Sequence, residues 1–224
     1  MKQKIQIRCK NNKKSQKVEI GSTLFDVFSS FDLKMTHGPV SARVNNKVEG
    51  MHYRVYNSKD VEFLDMNSAS GSRAYTRTLF FVLCKAVQDI YPNTDVVIDI
   101  PVSNGFYVDI RLGRPVVDED VNILRRRMQE IIDSKMPIRR FTVPTEEAIA
   151  LFQEKGDVEK VKLLRTSGSI YTTYYKIGEY VDYYYGTLLT NTSQLYLFGL
   201  EKYYDGMLLR IPSVSNPDEL GEMT

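Results

Sequence analysis

A helix-then-hairpin signal between Arg73 and Ile110 constrains this chain more than any other stretch. Leu79, Val82, Leu83, Ala86, Val87 and Ile90 recur at spacings of three and four, so a helix over RAYTRTLFFVLCKAVQDIYP carries one apolar stripe. Pro92 lies just past the stripe, where proline stops a helix. VVIDIPV and FYVDI then read as two strands. Ser103-Asn104-Gly105 between them supplies residues that tolerate positive φ in a tight turn.

Upstream, residues 1–66 read as a β-rich unit with one helix, in the order ββαβββ. KIQIRC alternates apolar and polar residues, as a half-buried strand does, and the basic turn KNNKK leads to the strand QKVEI. GSTLFDVFSSF starts a helix with Ser22 or Thr23 as N-cap and Leu24, Val27, Phe28 and Phe31 on one face. VSARV and KVEG flank a turn at Asn45-Asn46, and VEFLD closes the unit. Lys2, Lys4, Lys10, Lys13, Lys14 and Lys17 concentrate charge on the first hairpin. Lys10, Lys13 and Lys14 are the candidates for contact with RNA phosphates. The alternative is a solvated edge strand whose lysines discourage sheet-to-sheet aggregation. His37 and His52 stand in loops without a Cys, Asp or Glu at ligand spacing and read as surface residues.

Downstream, residues 68–212 form the larger region. Asp118-Glu119-Asp120 opens a helix, with Val121, Leu124, Met128, Ile131 and Ile132 on its buried face. Arg125, Arg126 and Arg127 cannot share one helix face, so solvated side chains are expected rather than a joint phosphate clamp. MPIRRFTV reads as a strand, Thr145 as the cap of the next helix, and helical sequence continues on both sides of Gly156. Tyrosines crowd IYTTYYKIGEYVDYYY, which alternates poorly; packing plus one ligand or interdomain surface is expected there. QLYLFGLEKYYDGMLLRIP reads as two strands around Asp205-Gly206.

The net charge of +2 does not by itself argue for nucleic acid. The longest apolar run is too short to span a bilayer, so no membrane partner is expected, and MKQKIQIRCK has no secretory h-region. Cys9 and Cys84 form no CxxC. A cytoplasmic protein is the natural reading. Residues 213–224, polar and turn-rich, read as a linker toward something longer. There is no GxxxxGK[ST], GxGxxG or GxSxG, so nothing points to catalysis in these residues.

Two segments carry a resemblance. YPNTDVVIDIPVSNGFYVDI and the run Glu179-Tyr180-Val181-Asp182 resemble the second additional, or editing, domain of threonyl-tRNA synthetase, which also occurs in alanyl-tRNA synthetase. The resemblance implies an α+β sandwich with an antiparallel sheet and a metal site made by a His-x-x-x-His pair, a Cys and a His. In this chain those positions fall on Arg77, Phe81, Tyr184 and Leu188. A leucine and a phenylalanine offer no donor, so no metal is expected. Arg77, Phe81, Asp182, Tyr184 and Leu188 then outline a degenerate editing cleft with no catalytic residue. Arg77 either holds a carboxylate or phosphate of a ligand or pairs internally, for example with Asp182.

SARVNNKVEG and KDVEFLD resemble the TGS domain, a ubiquitin-like β-grasp binding module. A TGS domain followed by a metal-less editing-like domain resembles the N-terminal region of bacterial uridine kinase-type nucleoside kinases, and LLRIPSVSNPDELGEM resembles the join to their kinase domain. That resemblance implies a parent that phosphorylates uridine or cytidine with ATP or GTP and Mg, cofactors expected only for the kinase domain. The expected partners are that C-terminal kinase domain, tRNA or a nucleotide, and a second copy in a homo-oligomer. The competing expectation is an aminoacyl-tRNA editing deacylase or tRNA-binding module, with water held by Asp182 or Tyr184.

Overall fold

The computed structural model describes residues 3–103 and 105–212, apart from the side chain of Asp99. The turn position Asn104 and the expected linker 213–224 therefore lie outside the described residues. The described chain divides into two units. Unit 1 holds the residues through Met136 and those from Thr187 onward; unit 2 is Pro137–Gly186. The architecture is α+β with mostly antiparallel sheets.

Unit 1 begins with β1 (Lys4–Cys9), β2 (Ser15–Glu19), α1 (Leu24–Ser30), β3 (Ser41–Val44), β4 (Lys47–Glu49) and β5 (Lys59–Leu64). The sheet order is β2-β1-β5-β3-β4, with β1 and β5 parallel at its centre. Ile7, Cys9, Val18, Leu24, Val27, Val61 and Phe63 close the core between the sheet and α1. Thr23 caps α1 as expected: its hydroxyl accepts from the Asp26 backbone N–H, and the Asp26 carboxylate accepts from the Thr23 N–H. Asn45 and Asn46 make the β3–β4 turn at φ 45° and 76°, which asparagine tolerates. The boundary expected between residues 66 and 68 falls inside unit 1, where β5 leads into α2 (Ala69–Ile90).

α2 starts four residues before the expected Arg73, because the Ser68 side chain accepts from the Gly71 N–H and caps the first turn. The apolar stripe is buried as expected, with Leu79, Val82, Leu83, Ala86 and Val87 fully enclosed. β6 (Val96–Val102) and β7 (Gly105–Ile110) form the hairpin, with Ser103 at φ 47°. α3 (Asp118–Asp133) buries the five expected apolar residues. Arg125 and Arg126 are exposed, but Arg127 is not merely solvated: it pairs with Asp89 of α2 and Glu130. Asp89 also takes the nearly buried Lys85, so one carboxylate ties two cations across the α2–α3 contact.

The chain then forms unit 2: β8 (Arg139–Pro144), α4 (Thr145–Glu154), α5 (Val158–Thr166), β9 (Tyr171–Ile177) and β10 (Tyr180–Tyr183), with sheet order β10-β9-β8. Phe152, Ala148, Leu164 and Val181 centre its core. Thr145 is the first helical residue and not the expected cap. Its hydroxyl donates to the Ser169 carbonyl at 2.6 Å and meets the Thr172 hydroxyl at 3.0 Å, tying α4 to the entry of β9. Back in unit 1, a 3-10 turn (Thr192–Gln194) precedes β11 (Gly199–Tyr203) and β12 (Gly206–Arg210). They complete the sheet β11-β12-β7-β6. The last turn is Tyr204-Asp205 rather than Asp205-Gly206, with Tyr204 at φ 48°. Gly206 opens β12 because a Cβ there would lie 2.5 Å from the Val108 carbonyl oxygen and 2.7 Å from the Tyr107 hydroxyl. No described helix is long and apolar enough to cross a membrane.

Asp120, at the third position of α3, gathers one of the tightest polar clusters. It accepts from both terminal nitrogens of Arg114 (2.7 and 2.8 Å), the Tyr91 hydroxyl (2.6 Å) and the Val117 N–H (2.9 Å). The Arg114 hydrogen bonds hold its carboxyl far below the usual carboxylate range, against its burial. Burial and the Asp120 carboxylate in turn push Tyr91 up to about 12. A depressed folded pKa contributes stability that is present above the unfolded value of about 3.9 and lost as pH falls through the folded one. Asp120→Asn is expected to cost about 2 kcal/mol at pH 6, the worth of hydrogen bonds to a charged group. The gap to wild type should narrow as urea titrations are repeated from pH 5 down to pH 2; a gap constant across that range would refute the assignment.

Candidate functional site

The five candidate cleft positions fall in both units. In unit 1, Arg77 and Phe81 stand one turn apart on α2. Phe81 is 0% exposed and Leu188 is 1% exposed, so both are enclosed side chains. Arg77 is half-buried. Leu188 is brought to α2 by Thr78, a residue that sequence reasoning passed over. The buried Thr78 hydroxyl donates to the Ala74 carbonyl at 2.7 Å and accepts from the Leu189 N–H at 2.9 Å. A helical threonine bonding back to its own turn leaves an oxygen lone pair for a strand-like neighbour, and here that neighbour is the segment carrying Leu188.

The same end of α2 is pinned at Tyr75. Its hydroxyl donates to the Leu197 carbonyl and accepts from the Leu197 N–H at 3.0 Å. Burial raises its pKa well above the usual tyrosine range. His37 lies in a loop as expected but is not a loose surface residue: its ring stacks on Tyr196 at 3.5 Å and 6°. The Gln194 side-chain amide donates to the Pro39 carbonyl beside it.

In unit 2, Asp182 lies on β10 and Tyr184 just beyond it. Asp182 is 5% exposed, and its carboxylate is already occupied. It pairs with Lys160 of α5 at 2.9 Å and accepts from the Tyr180 hydroxyl at 2.9 Å and the Tyr183 N–H at 2.7 Å. Lys160 also bonds Asp157, the cap of α5. Burial opposes the charge on Lys160, but Asp182 and Asp157 outweigh it and hold the ammonium above its ordinary pKa. No local pattern pointed to Lys160, since its partner Asp182 is on a different element.

The retained Glu-Tyr-Val-Asp run is thus used locally: Tyr180 and Asp182 bond each other, and Val181 packs in the unit 2 core. Tyrosines occupy both faces of the sheet, Tyr174 stacking on Phe141 and Tyr175 enclosed on the other side. Among the described residues, no group of three His, Cys, Asp or Glu is placed to hold a metal ion. The side chains at the four positions do not suit zinc, which takes deprotonated N, S or O donors. Lys10, Lys13 and Lys14 are exposed on and beyond the β1–β2 turn, with Lys13 at φ 60°.

No family model matches the chain. It is 30% identical to the threonine–tRNA ligase of Acetivibrio thermocellus over 181 residues, which is 80% of this chain and 28% of that protein. It is 28% identical to the threonine–tRNA ligase of Azobacteroides pseudotrichonymphae over 94% of this chain and 35% of that protein. The ligase of Clostridium kluyveri is 28% identical over 85% of this chain. The chain spans about a third or less of the length of these curated relatives. Most of the chain is therefore threonine–tRNA-ligase-like, on an α+β fold.

Proposed function

We propose that this chain is a non-hydrolytic recognition region, a degenerate relative of the threonyl-tRNA synthetase editing domain, preceded by a TGS-like module and attached to a uridine kinase-type nucleoside kinase. The observation that carries the first part is the chemistry at the positions of the resembled metal site. Phe81 and Leu188 are enclosed hydrocarbon, and neither offers a donor. Asp182, the retained carboxylate, has three hydrogen-bond partners of its own, which leaves it poorly placed to orient a water as general base. The β2-β1-β5-β3-β4 order with one central parallel pair supports the TGS-like reading of the first module. The kinase attachment rests on the order of the two modules in the sequence, and its ATP or GTP and Mg belong to that further domain.

The test is direct. The chain is equilibrated with zinc, its metal content is measured, and aminoacyl-tRNA hydrolysis is followed with it present. Substoichiometric zinc and hydrolysis at the uncatalysed rate are expected. Stoichiometric zinc together with accelerated deacylation would overturn the reading. For the kinase attachment, the longer protein should convert uridine or cytidine to the monophosphate with ATP or GTP, and should retain that chemistry when these residues are deleted. A second reading, tRNA binding without chemistry, is favoured by the similarity to proteins named for ligating threonine to tRNA. Filter binding of total tRNA at two salt concentrations separates it, since only a specific complex persists at moderate salt.

A further inference from the structure

β8 (Arg139–Pro144) is an edge strand of unit 2, paired on one side with β9 and on the other with nothing among the described residues. The ladder shows which of its backbone groups are unused. Thr145, just past β8, donates its N–H to the Ile170 carbonyl at 2.8 Å. From there the pairing runs Pro144 with Tyr171, Val143 with Thr172 and so on to Arg139 with Lys176, without a register shift. Hydrogen-bonded pairs alternate along an antiparallel ladder, so Val143, Phe141 and Arg139 direct their N–H and C=O to β9. Arg140, Thr142 and Pro144 turn theirs outward. Two side chains agree with this. The Thr142 and Thr173 hydroxyls meet at 2.9 Å, the close approach of a pair that shares no backbone hydrogen bond. Pro144, which has no N–H, stands at an outward position, where β9 needs no donor.

The strand is also bare on both faces: Arg139, Arg140, Phe141, Thr142 and Pro144 are exposed. Two other edges are blunted. β10, across the same sheet, is four residues long, with Lys160 held at its Asp182. β6 carries a bulge between Ile98 and Ile100, followed by Pro101. Charge then selects what β8 accepts. Arg139 and Arg140 point to opposite faces, and among the described residues neither has an ion pair or a side-chain hydrogen bond. Lys176, directly across from Arg139, adds a third cation. The nearest carboxylates along the chain, Glu146 and Glu147, lie beyond the other end of the strand, in α4. A second copy of β8 would bring two more arginines to this edge, which opposes self-pairing. A strand bearing carboxylates is favoured instead. On the face of Arg139, Phe141 stacks on Tyr174 at 5.2 Å and is still 36% exposed, which leaves room for an apolar neighbour.

We propose that β8 is a docking edge for an extended acidic peptide segment of a partner protein. The segment adds to the three-stranded sheet through the N–H and C=O of Arg140 and Thr142. Its carboxylates meet the arginines, and an apolar side chain lies beside Phe141. Main-chain hydrogen bonds supply the affinity of such a contact, and the alternate side chains supply its specificity. This inference concerns a different strand from the positions of the resembled metal site, and it stands or falls independently of that reading.

The experiment follows amide hydrogen exchange of the whole chain by NMR with a short capped peptide that alternates glutamate and valine, and with its lysine–valine counterpart. The glutamate peptide is expected to slow exchange at Arg140 and Thr142 by about tenfold or more at saturation. Phe141 and Val143, already bonded to β9, should change little. Thr142→Pro removes an outward N–H and leaves the ladder to β9 its hydrogen bonds, so it should weaken binding by about tenfold or more. Arg139→Gln with Arg140→Gln should erase the preference for the glutamate peptide. The glutamate peptide N-methylated at alternate residues lacks the donors and should not bind, a test that needs no variant of the chain. Unchanged exchange at Phe141 and Val143 confirms that each variant keeps its β8–β9 ladder. Equal binding of the two peptides by the wild type, binding without slowed exchange at Arg140 and Thr142, or no binding at millimolar peptide would overturn the proposal. So would protection of these amides by single-stranded RNA in place of the peptide.

Discussion

Gly71→Ala is expected to destabilise unit 1 by more than about 3 kcal/mol, beyond the usual range for an overpacked site. A Cβ at this position would sit 1.9 Å from the Asp65 carbonyl oxygen and 2.5 Å from Val40 Cγ2. The first obstacle is backbone, so no rotamer change relieves it. The first turn of α2 rests directly on the end of β5 there, and Ser68 seals the same joint by donating to the Asp65 carbonyl and accepting from the Gly71 N–H. Alanine is the better helix former by about 1 kcal/mol, so propensity alone predicts stabilisation and the clash predicts the opposite sign. Urea unfolding followed by circular dichroism decides between them. Gly113→Ala is the control: nothing lies within 4 Å of its Cβ, and only the strain of φ +74° applies, about 1 kcal/mol. If Gly71→Ala costs no more than Gly113→Ala, the close approach of α2 to β5 is wrong.

Asp182→Ala is expected to cost unit 2 about 3 kcal/mol, because it leaves the Lys160 ammonium and the Tyr180 hydroxyl without their shared acceptor in a largely enclosed place. For a unit of fifty residues that loss is a large part of the total stability. Lys160→Met with Asp182→Leu should recover most of it, since replacing both members of a buried pair with apolar groups is often near neutral. The pH dependence carries its own sign. Lys160 has a folded pKa above its unfolded value of about 10.4, so its contribution is fully present below that pH and fades as pH rises through the folded pKa. The difference between wild type and Lys160→Met should thus be flat from pH 6 to pH 9. A double variant as unstable as Asp182→Ala would show that Asp182 does more than neutralise Lys160, and would return it to the list of groups that orient a ligand or water.

The element order was readable because each signal is local. The three-and-four spacing of Leu79, Val82, Leu83, Ala86 and Val87 needs only a helix to become a face, and that face is buried. Thr23 with Asp26, and Asn45 with Asn46, carry their cap and turn chemistry within four residues, and the structure uses them as expected. That Phe81 and Leu188 carry no metal-donor atom was equally legible, since a hydrocarbon side chain has none in any fold.

Other features were set by partners distant in sequence. Thr145 has the side chain of a cap, but the loop of Ser169 offers its hydroxyl a better carbonyl. Arg127 looks solvated in a run of three arginines until α2 brings Asp89 within 2.9 Å. Tyr204 takes the positive φ that the sequence offered to Gly206, because Gly206 is needed where β12 passes Tyr107. The sequence by itself therefore determined the order of the helices and strands and those caps and turns whose chemistry is local, such as Thr23 and Asn45-Asn46, since these follow from neighbours along the chain. Only the tertiary structure decided what Asp182, Thr78 and Gly71 are for, because hydrogen bonds, ion pairs and close backbone approaches are formed between elements whose meeting no local pattern encodes.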